Sequence, residues 1–126
     1  MRKTNSLMCA AATALVVAAP SVAAGDAARG AEVFHYKCAV CHAVAPEFHK
    51  EGPSLHNVFG RKAGTAPFFP RYKALKGVDF AWSEESMDRF LEDPRAFLDG
   101  RYTKMTLKLD DARARADVIA FLKTLR

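Results

Sequence analysis

Cysteine is scarce in this 126-residue chain: there are three, at Cys9, Cys38 and Cys41. So few thiols exclude a disulfide-dense scaffold and leave no second thiol pair for a four-ligand structural zinc site. Apolar and polar residues nowhere alternate for long enough to make a half-buried strand, so no sheet is expected. Long apolar runs are missing too. Leu7 to Ala19 spans thirteen residues, whereas a membrane-spanning helix needs roughly 20. Repeats, low-complexity tracts and interdomain linkers are absent, which leaves one domain. With 50% hydrophobic and 26% charged residues the composition is that of a folded globular chain, not a disordered one.

The amino terminus reads as a leader. Arg2 and Lys3 precede the apolar run, and Ser21-Val22-Ala23-Ala24 supplies the small residues that a signal peptidase accepts. Residues 1–24 are therefore expected to be a signal peptide, cleaved after Ala23 or Ala24, with a single domain over 25–126 in the periplasm. Retention as an anchor is the minor alternative, because the run is short. Cys9 lies inside that run and would leave with it, so the exported domain keeps only Cys38 and Cys41. Charge falls as well: the whole chain is +5, and without Arg2 and Lys3 it holds 17 basic against 14 acidic residues, a net of +3. That excess is too small to point to nucleic acid, and any useful basic character must be local.

The two remaining thiols form Cys38-Ala39-Val40-Cys41-His42. Two sulfurs three positions apart share one side of a helical turn, where each can add across one vinyl group of the same porphyrin, and the imidazole that follows can reach the iron. This is the pattern of covalent c-type haem attachment. Three rival readings are weaker. A disulfide between such close cysteines closes only a tiny loop and constrains little of the unfolded chain. Zinc would want a second ligand pair, and His35, His49 and His56 are not spaced as one. A thioredoxin-like dithiol needs a βαβ setting.

Helical periodicity frames the motif. Ala27, Gly30, Phe34 and Cys38 predict a helix from Asp26, its cap, to Cys38. Gly30 inside it costs about 1 kcal/mol relative to Ala, which a close helix crossing would offset. The partner predicted is the C-terminal helix, Asp110 to Arg126, with Phe121 laid over Gly30 beside Phe34. A third helix is expected after the Ser83 cap, with Met87, Phe90 and Leu91 inward, and a short one after Asp93-Pro94. Tyr72 to Lys76 reads as one helical turn closed by Gly77. Ala43 to Gly77 is otherwise rich in Gly, Pro and aromatics, more irregular chain than a compact domain usually holds unless it wraps a cofactor.

A second axial ligand has four candidates. Met87 belongs to the apolar face of a helix, where packing is its default role. His49 and His56 are loop histidines. Met105, in the polar stretch Tyr102-Thr103-Lys104-Met105-Thr106, is harder to explain as packing, and its soft sulfur suits haem iron. Met105 is therefore favoured.

The chain as a whole resembles class I cytochrome c, in the mitochondrial-type branch and its small bacterial relatives. The matching residues run in order through Gly30, Phe34, Cys38-x-x-Cys41-His42, Gly52-Pro53-x-Leu55-His56, Phe59-Gly60-Arg61-Lys62-x-Gly64, Trp82, Asp93-Pro94, Thr103-Lys104-Met105 and Arg115 to Lys123. The resemblance implies an all-α cytochrome c fold, with crossed N- and C-terminal helices and short helices and loops wrapped around one covalent haem c. It implies that Pro53 offers its carbonyl to the proximal imidazole, that Arg61, Trp82, Thr103 and Tyr72 contact the haem propionates, and that His42 and Met105 ligate the metal. Three departures stand out. Asp99-Gly100-Arg101-Tyr102 is about two residues longer than the usual Pro-Gly turn, which implies a looser Met105 loop. Phe90 replaces a tyrosine that bonds the ligand sulfur in many relatives, and Leu107 replaces an aromatic.

The function expected is a soluble, monomeric one-electron carrier, not an enzyme, that breaks no substrate bond and does not insert stably into membranes. Lys37, Lys50, Arg95, Lys104 and Lys108 match positions around the exposed haem edge, where cations steer acidic redox partners. A cytochrome bc complex, a terminal oxidase or a periplasmic dehydrogenase are the partners the resemblance implies. The alternatives are an open-site haem protein, acting as a peroxidase or gas binder, and a dedicated cytochrome subunit of one dehydrogenase.

Overall fold

Asp26 starts the first helix. Its carboxylate accepts the Arg29 backbone N–H at 2.9 Å and caps α1, Ala27–Val33. The computed structural model describes residues 14–18 and 23–126; Arg2, Lys3, Cys9, Ser21 and Val22, on which much of the leader expectation rests, lie outside them. The predicted single α-helix to Cys38 needs correction. Phe34–Cys38 is a wider π-turn, in which the Ala39 N–H donates to the Phe34 carbonyl five residues back at 2.8 Å. Phe34 and Cys38 both stay buried, and the Cys38 carbonyl accepts from the N–H groups of Cys41 and His42 at 3.0 and 2.9 Å, closing the turn that carries the motif.

The remaining helices fall where their caps place them. Ser83 opens α2, Glu84–Glu92, through a reciprocal box with Ser86, and Met87, Phe90 and Leu91 are its buried residues. Asp93 opens α3, Pro94–Phe97, accepting from Arg95 and Ala96. The C-terminal helix α4, Ala112–Leu122, is shorter than the Asp110–Arg126 expected: Asp111 caps it and Lys123 closes it. Among the described residues there is no strand, only an isolated bridge between Lys62 and Ala81. The fold is all-α.

α1 and α4 meet at Gly30, as predicted. A Cβ there would lie 1.9 Å from the Asp117 carbonyl oxygen and 2.8 Å from the Phe121 Cβ, so only hydrogen fits. Phe34 and Phe121 stack alongside with centroids 5.5 Å apart. A polar clasp secures the same crossing. The Asp117 carboxylate, in a residue 3% exposed, accepts from the Asp26 N–H at 2.7 Å and from Arg29 Nε at 2.8 Å, with Arg113 3.4 Å away. Those bonds hold its pKa down at about 2, the Arg29 hydrogen bond contributing most and the Asp26 N–H next.

Arg115 ties α4 to α2. Its buried guanidinium donates to Asp88 Oδ1 at 2.7 Å and to the carbonyls of Leu109 and Asp110 at 2.7 and 3.1 Å. The bridge at Lys62 and Ala81 then fastens the long irregular stretch. Ala63 donates to the Phe80 carbonyl at 2.8 Å, Trp82 to that of Arg61 at 3.0 Å, and Gly60 to that of Trp82 at 2.8 Å. Trp82 is thereby held in the core, edge-to-face with Phe80 and Phe90 at centroid distances of 5.0 Å.

Candidate functional site

Inside this helical shell is a cavity of about 620 Å³. The π-turn brings Cys38 to its wall, and Cys41 and His42 follow. The segment from Thr103 to Leu107 brings Thr103 and Met105. Pro53, Arg61, Tyr72 and Trp82 line it as well, so all nine residues expected at the site meet at one hollow. The walls between them are mostly apolar core, including Phe90, Leu91, Val118 and Leu122.

His42 is fixed in both position and tautomer. Its Nδ1 is 2.7 Å from the Pro53 carbonyl oxygen, and a carbonyl can only accept, so Nδ1 carries the proton and Nε2 keeps a free lone pair. Burial pushes the His42 pKa below its ordinary value and nearby Lys50 adds to this, while the bond to Pro53 works against both. The net lowering favours the neutral ring, the form in which an imidazole can ligate a metal. Gly52 makes room for it: a Cβ at that position would come within 2.2 Å of His42 Cε1 and 2.6 Å of Nδ1. The thiols differ from each other. Cys38 is buried and Cys41 half-buried, and burial, followed by the proximity of Cys41, pushes the Cys38 thiol up to about 11.

The polar residues of the wall are already partly engaged. Arg61 donates to the carbonyls of His56 and Ser54 at 3.1 and 3.4 Å. The Tyr72 hydroxyl accepts the Ala66 N–H at 3.0 Å. Thr103 Oγ1 accepts the Met105 N–H at 3.1 Å, which braces the loop just before the thioether. Burial lowers the Arg61 pKa and raises that of Tyr72 from their ordinary values; a carboxylate beside them would relieve the desolvation of the guanidinium.

The two loop histidines separate from the cavity. His49 and His56 line a second cleft of about 500 Å³, not the cavity. His49 is committed there, its Nε2 bonded to the Pro67 carbonyl at 2.8 Å while its Nδ1 accepts the Ser54 N–H at 3.0 Å. Met87 does line the cavity, but as part of the α2 core face. Arg61 lies in the walls of both hollows. Two contributors escaped sequence reasoning. Gly52 matches the family motif without a role of its own, although a glycine ten residues after an imidazole and next to its carbonyl partner could have suggested close approach. Glu51, also at the cavity, lies 3.9 Å from Lys104, and nothing local in the sequence signals that pairing.

A hollow walled by helices and irregular chain that gathers two thiols, an oriented imidazole and a thioether is the architecture of class I c-type cytochromes. The chain belongs to the Cytochrome c family, whose profile matches residues 27–126. It is similar to cytochrome c2 of Rhodomicrobium vannielii, 43% identical with 88% of each chain covered, and to cytochrome c2 of Rhodobacter capsulatus, 41% identical over 95% of this chain and 96% of that one. A solved structure of cytochrome c2 from Rhodospirillum centenum superposes with a TM-score of 0.73 at 38% identity, covering 80% of this chain and 98% of the other. The protein is accordingly an electron-transfer protein and not an enzyme; it carries one haem c bound covalently through a cysteine pair. The residues present fit that group, since the cavity is walled by apolar side chains and the Gly52 cradle leaves one imidazole oriented with Nε2 free.

Proposed function

We propose that Cys38 and Cys41 would hold the haem by thioether bonds, that His42 Nε2 and Met105 Sδ would ligate its iron, and that the protein shuttles single electrons between redox enzymes of the periplasm and its membrane. The bound group supplies the Fe(II)/Fe(III) couple. The chain's part is to keep both ligands in place through the cycle. Pro53 and Gly52 hold the imidazole, and the bond between Thr103 and the Met105 N–H braces the thioether. The apolar walls keep water out, which favours the less charged reduced form. Arg61, Tyr72, Trp82 and Thr103 are placed to meet the propionates, whose burial needs donors.

The observation that carries this reading is the convergence of Cys38, Cys41, His42 and Met105 on one cavity, with His49 and His56 in another and Met87 committed to the buried face of α2. The near-infrared Met–Fe(III) charge-transfer band tests the ligand set. It should be present in wild type and absent from Met105→Ala, while haem staining after denaturation persists in both. Wild type without the band, combined with ready carbon monoxide binding, would overturn the carrier assignment.

Docking through Lys37, Lys50, Arg95 and Lys104 to a cytochrome bc complex, a terminal oxidase or a periplasmic dehydrogenase belongs to the same proposal. Lys37 and Lys104 lie at the cavity. Lys50 donates to the Ala39 carbonyl, and Lys108 is drawn off to Asp93. The leader, residues 1–24, is proposed to be removed on export. Leu15, Val16 and Val17 lie open to solvent with no core around them, and no helix among the described residues is long and apolar enough to cross a membrane. An intact-mass measurement reads cleavage after Ala23 or Ala24 and one haem per chain together.

A further inference from the structure

The extended turn before Met105 is wound, not slack. Past Phe97 the N–H groups of Leu98, Asp99 and Arg101 donate to the carbonyls of Pro94, Ala96 and Leu98 at 3.2, 3.1 and 3.0 Å. The Gly100 N–H reaches back to the Arg95 carbonyl at 2.8 Å. Asp99 and Gly100 both take left-handed backbone, φ 53° and 76°, which turns the chain off the end of α3. Beyond Met105 the chain is fastened again, where the Leu109 N–H donates to the Leu91 carbonyl of α2 at 2.9 Å. The thioether is therefore carried by a segment pinned at both ends.

One side chain ties this segment to the rest of the cavity wall. Arg101 Nη2 donates to the Lys76 carbonyl at 3.4 Å, across 25 positions of sequence. Lys76 follows Lys73, Ala74 and Leu75, which line the cavity, and its own N–H is bonded to the Lys73 carbonyl at 3.1 Å. Residues 103–107 line the same cavity. Arg101 is exposed and is not a lining residue, so it joins two parts of the wall from outside. The other tie, Lys104 to Glu51 at 3.9 Å, is between two largely exposed side chains, a kind of pair that contributes little.

We propose that Arg101 is a positioning residue: by strapping the Met105 loop to the 73–77 turn, it keeps the loop from swinging outward and the thioether at the cavity. The strap ends on a backbone carbonyl, so it needs a peptide group at position 76 and not a lysine. Without it the loop can pivot about Asp99 and Gly100 while α2 and α3 stay folded. The inference rests on Met105 being an iron ligand.

Its test is a urea titration of the haem-loaded ferric protein, followed by the near-infrared Met–Fe(III) band and by far-UV circular dichroism. A second titration adds free imidazole, which competes for the position that Met105 leaves. In Arg101→Ala the band should be lost at lower urea while the circular dichroism midpoint stays in place, and imidazole should bind about fivefold more tightly. Arg101→Lys should recover most of the difference, and Lys76→Ala should match wild type. An Arg101→Ala protein with unchanged band and imidazole affinity would overturn the proposal. So would one in which both midpoints fall together, since Arg101 would then support the fold and not the ligand. A wild type without the band would remove the Met105 assignment and this inference with it, whereas a wild-type band untouched by Arg101→Ala removes this inference alone.

Discussion

Gly52 and His42 are in direct contact: the glycine Cα approaches the imidazole so closely that a methyl group there would lie 2.2 Å from Cε1. The same loop continues into Pro53, whose carbonyl accepts a hydrogen bond from Nδ1, 2.7 Å away. Two adjacent residues therefore set both where the ring sits and which nitrogen keeps its lone pair.

Gly52→Ala should therefore act on the haem through the ring. The overpacked methyl is expected to cost about 1–3 kcal/mol and to perturb the visible spectrum and the reduction potential together. Urea unfolding and a redox titration of the same sample would check this. A wild-type potential with normal stability would mean that the loop yields without moving His42.

Gly30→Ala sets two effects against each other. Replacing a mid-helix glycine by alanine ordinarily gains about 1 kcal/mol. Here the added carbon would meet the Asp117 carbonyl at 1.9 Å, and forcing α1 away from α4 should cost about 1–3 kcal/mol or more. The clash is expected to win, giving a net loss of stability and a lower melting temperature.

Asp117 predicts the acid behaviour. Its folded pKa of about 2 is depressed from an ordinary value of 3.8, so the native state holds this carboxylate ionised more strongly than the unfolded chain does. The stabilisation is then complete above the unfolded value and is lost as pH falls from near 4 towards 2. Asp117→Asn should remove that dependence, leaving a flatter profile of stability against pH in that window. A variant profile parallel to wild type would show that other carboxylates govern acid unfolding.

Arg115→Leu should destabilise the junction of α2 and α4. The substitution strips the Leu109 and Asp110 carbonyls of a charged donor and leaves Asp88 unpaired. A loss of about 1–3 kcal/mol is expected, and Asp88→Asn in the same background should recover little, because the carbonyls remain unserved. Chemical denaturation of the two variants and wild type reads both effects.

Much of the frame was legible because it depends on local chemistry. Ser83, Asp93 and Asp26 cap helices through their own nearest N–H groups. Gly30 with Phe121 is the small-and-bulky pair that a close crossing requires. Other features could not be read locally. The bond from Arg29 to Asp117 spans 88 positions, and nothing in the sequence around Arg115 signals its bonds to Asp88 and the Leu109 carbonyl. The π-turn at Phe34–Cys38 is invisible in the pattern because the apolar spacing suits an α-helix equally well. The nine expected site residues line one cavity, whereas His49 and His56 line a separate cleft, a division that depends on how the irregular chain folds back at Pro67.

Arg61 forms a party wall between the two hollows. The 620 Å³ cavity and the 500 Å³ cleft share this one side chain, which is pinned across the gap by the carbonyls of His56 and Ser54. Shortening it would thin the wall that the two hollows have in common and free the His56 and Ser54 carbonyls that it now serves.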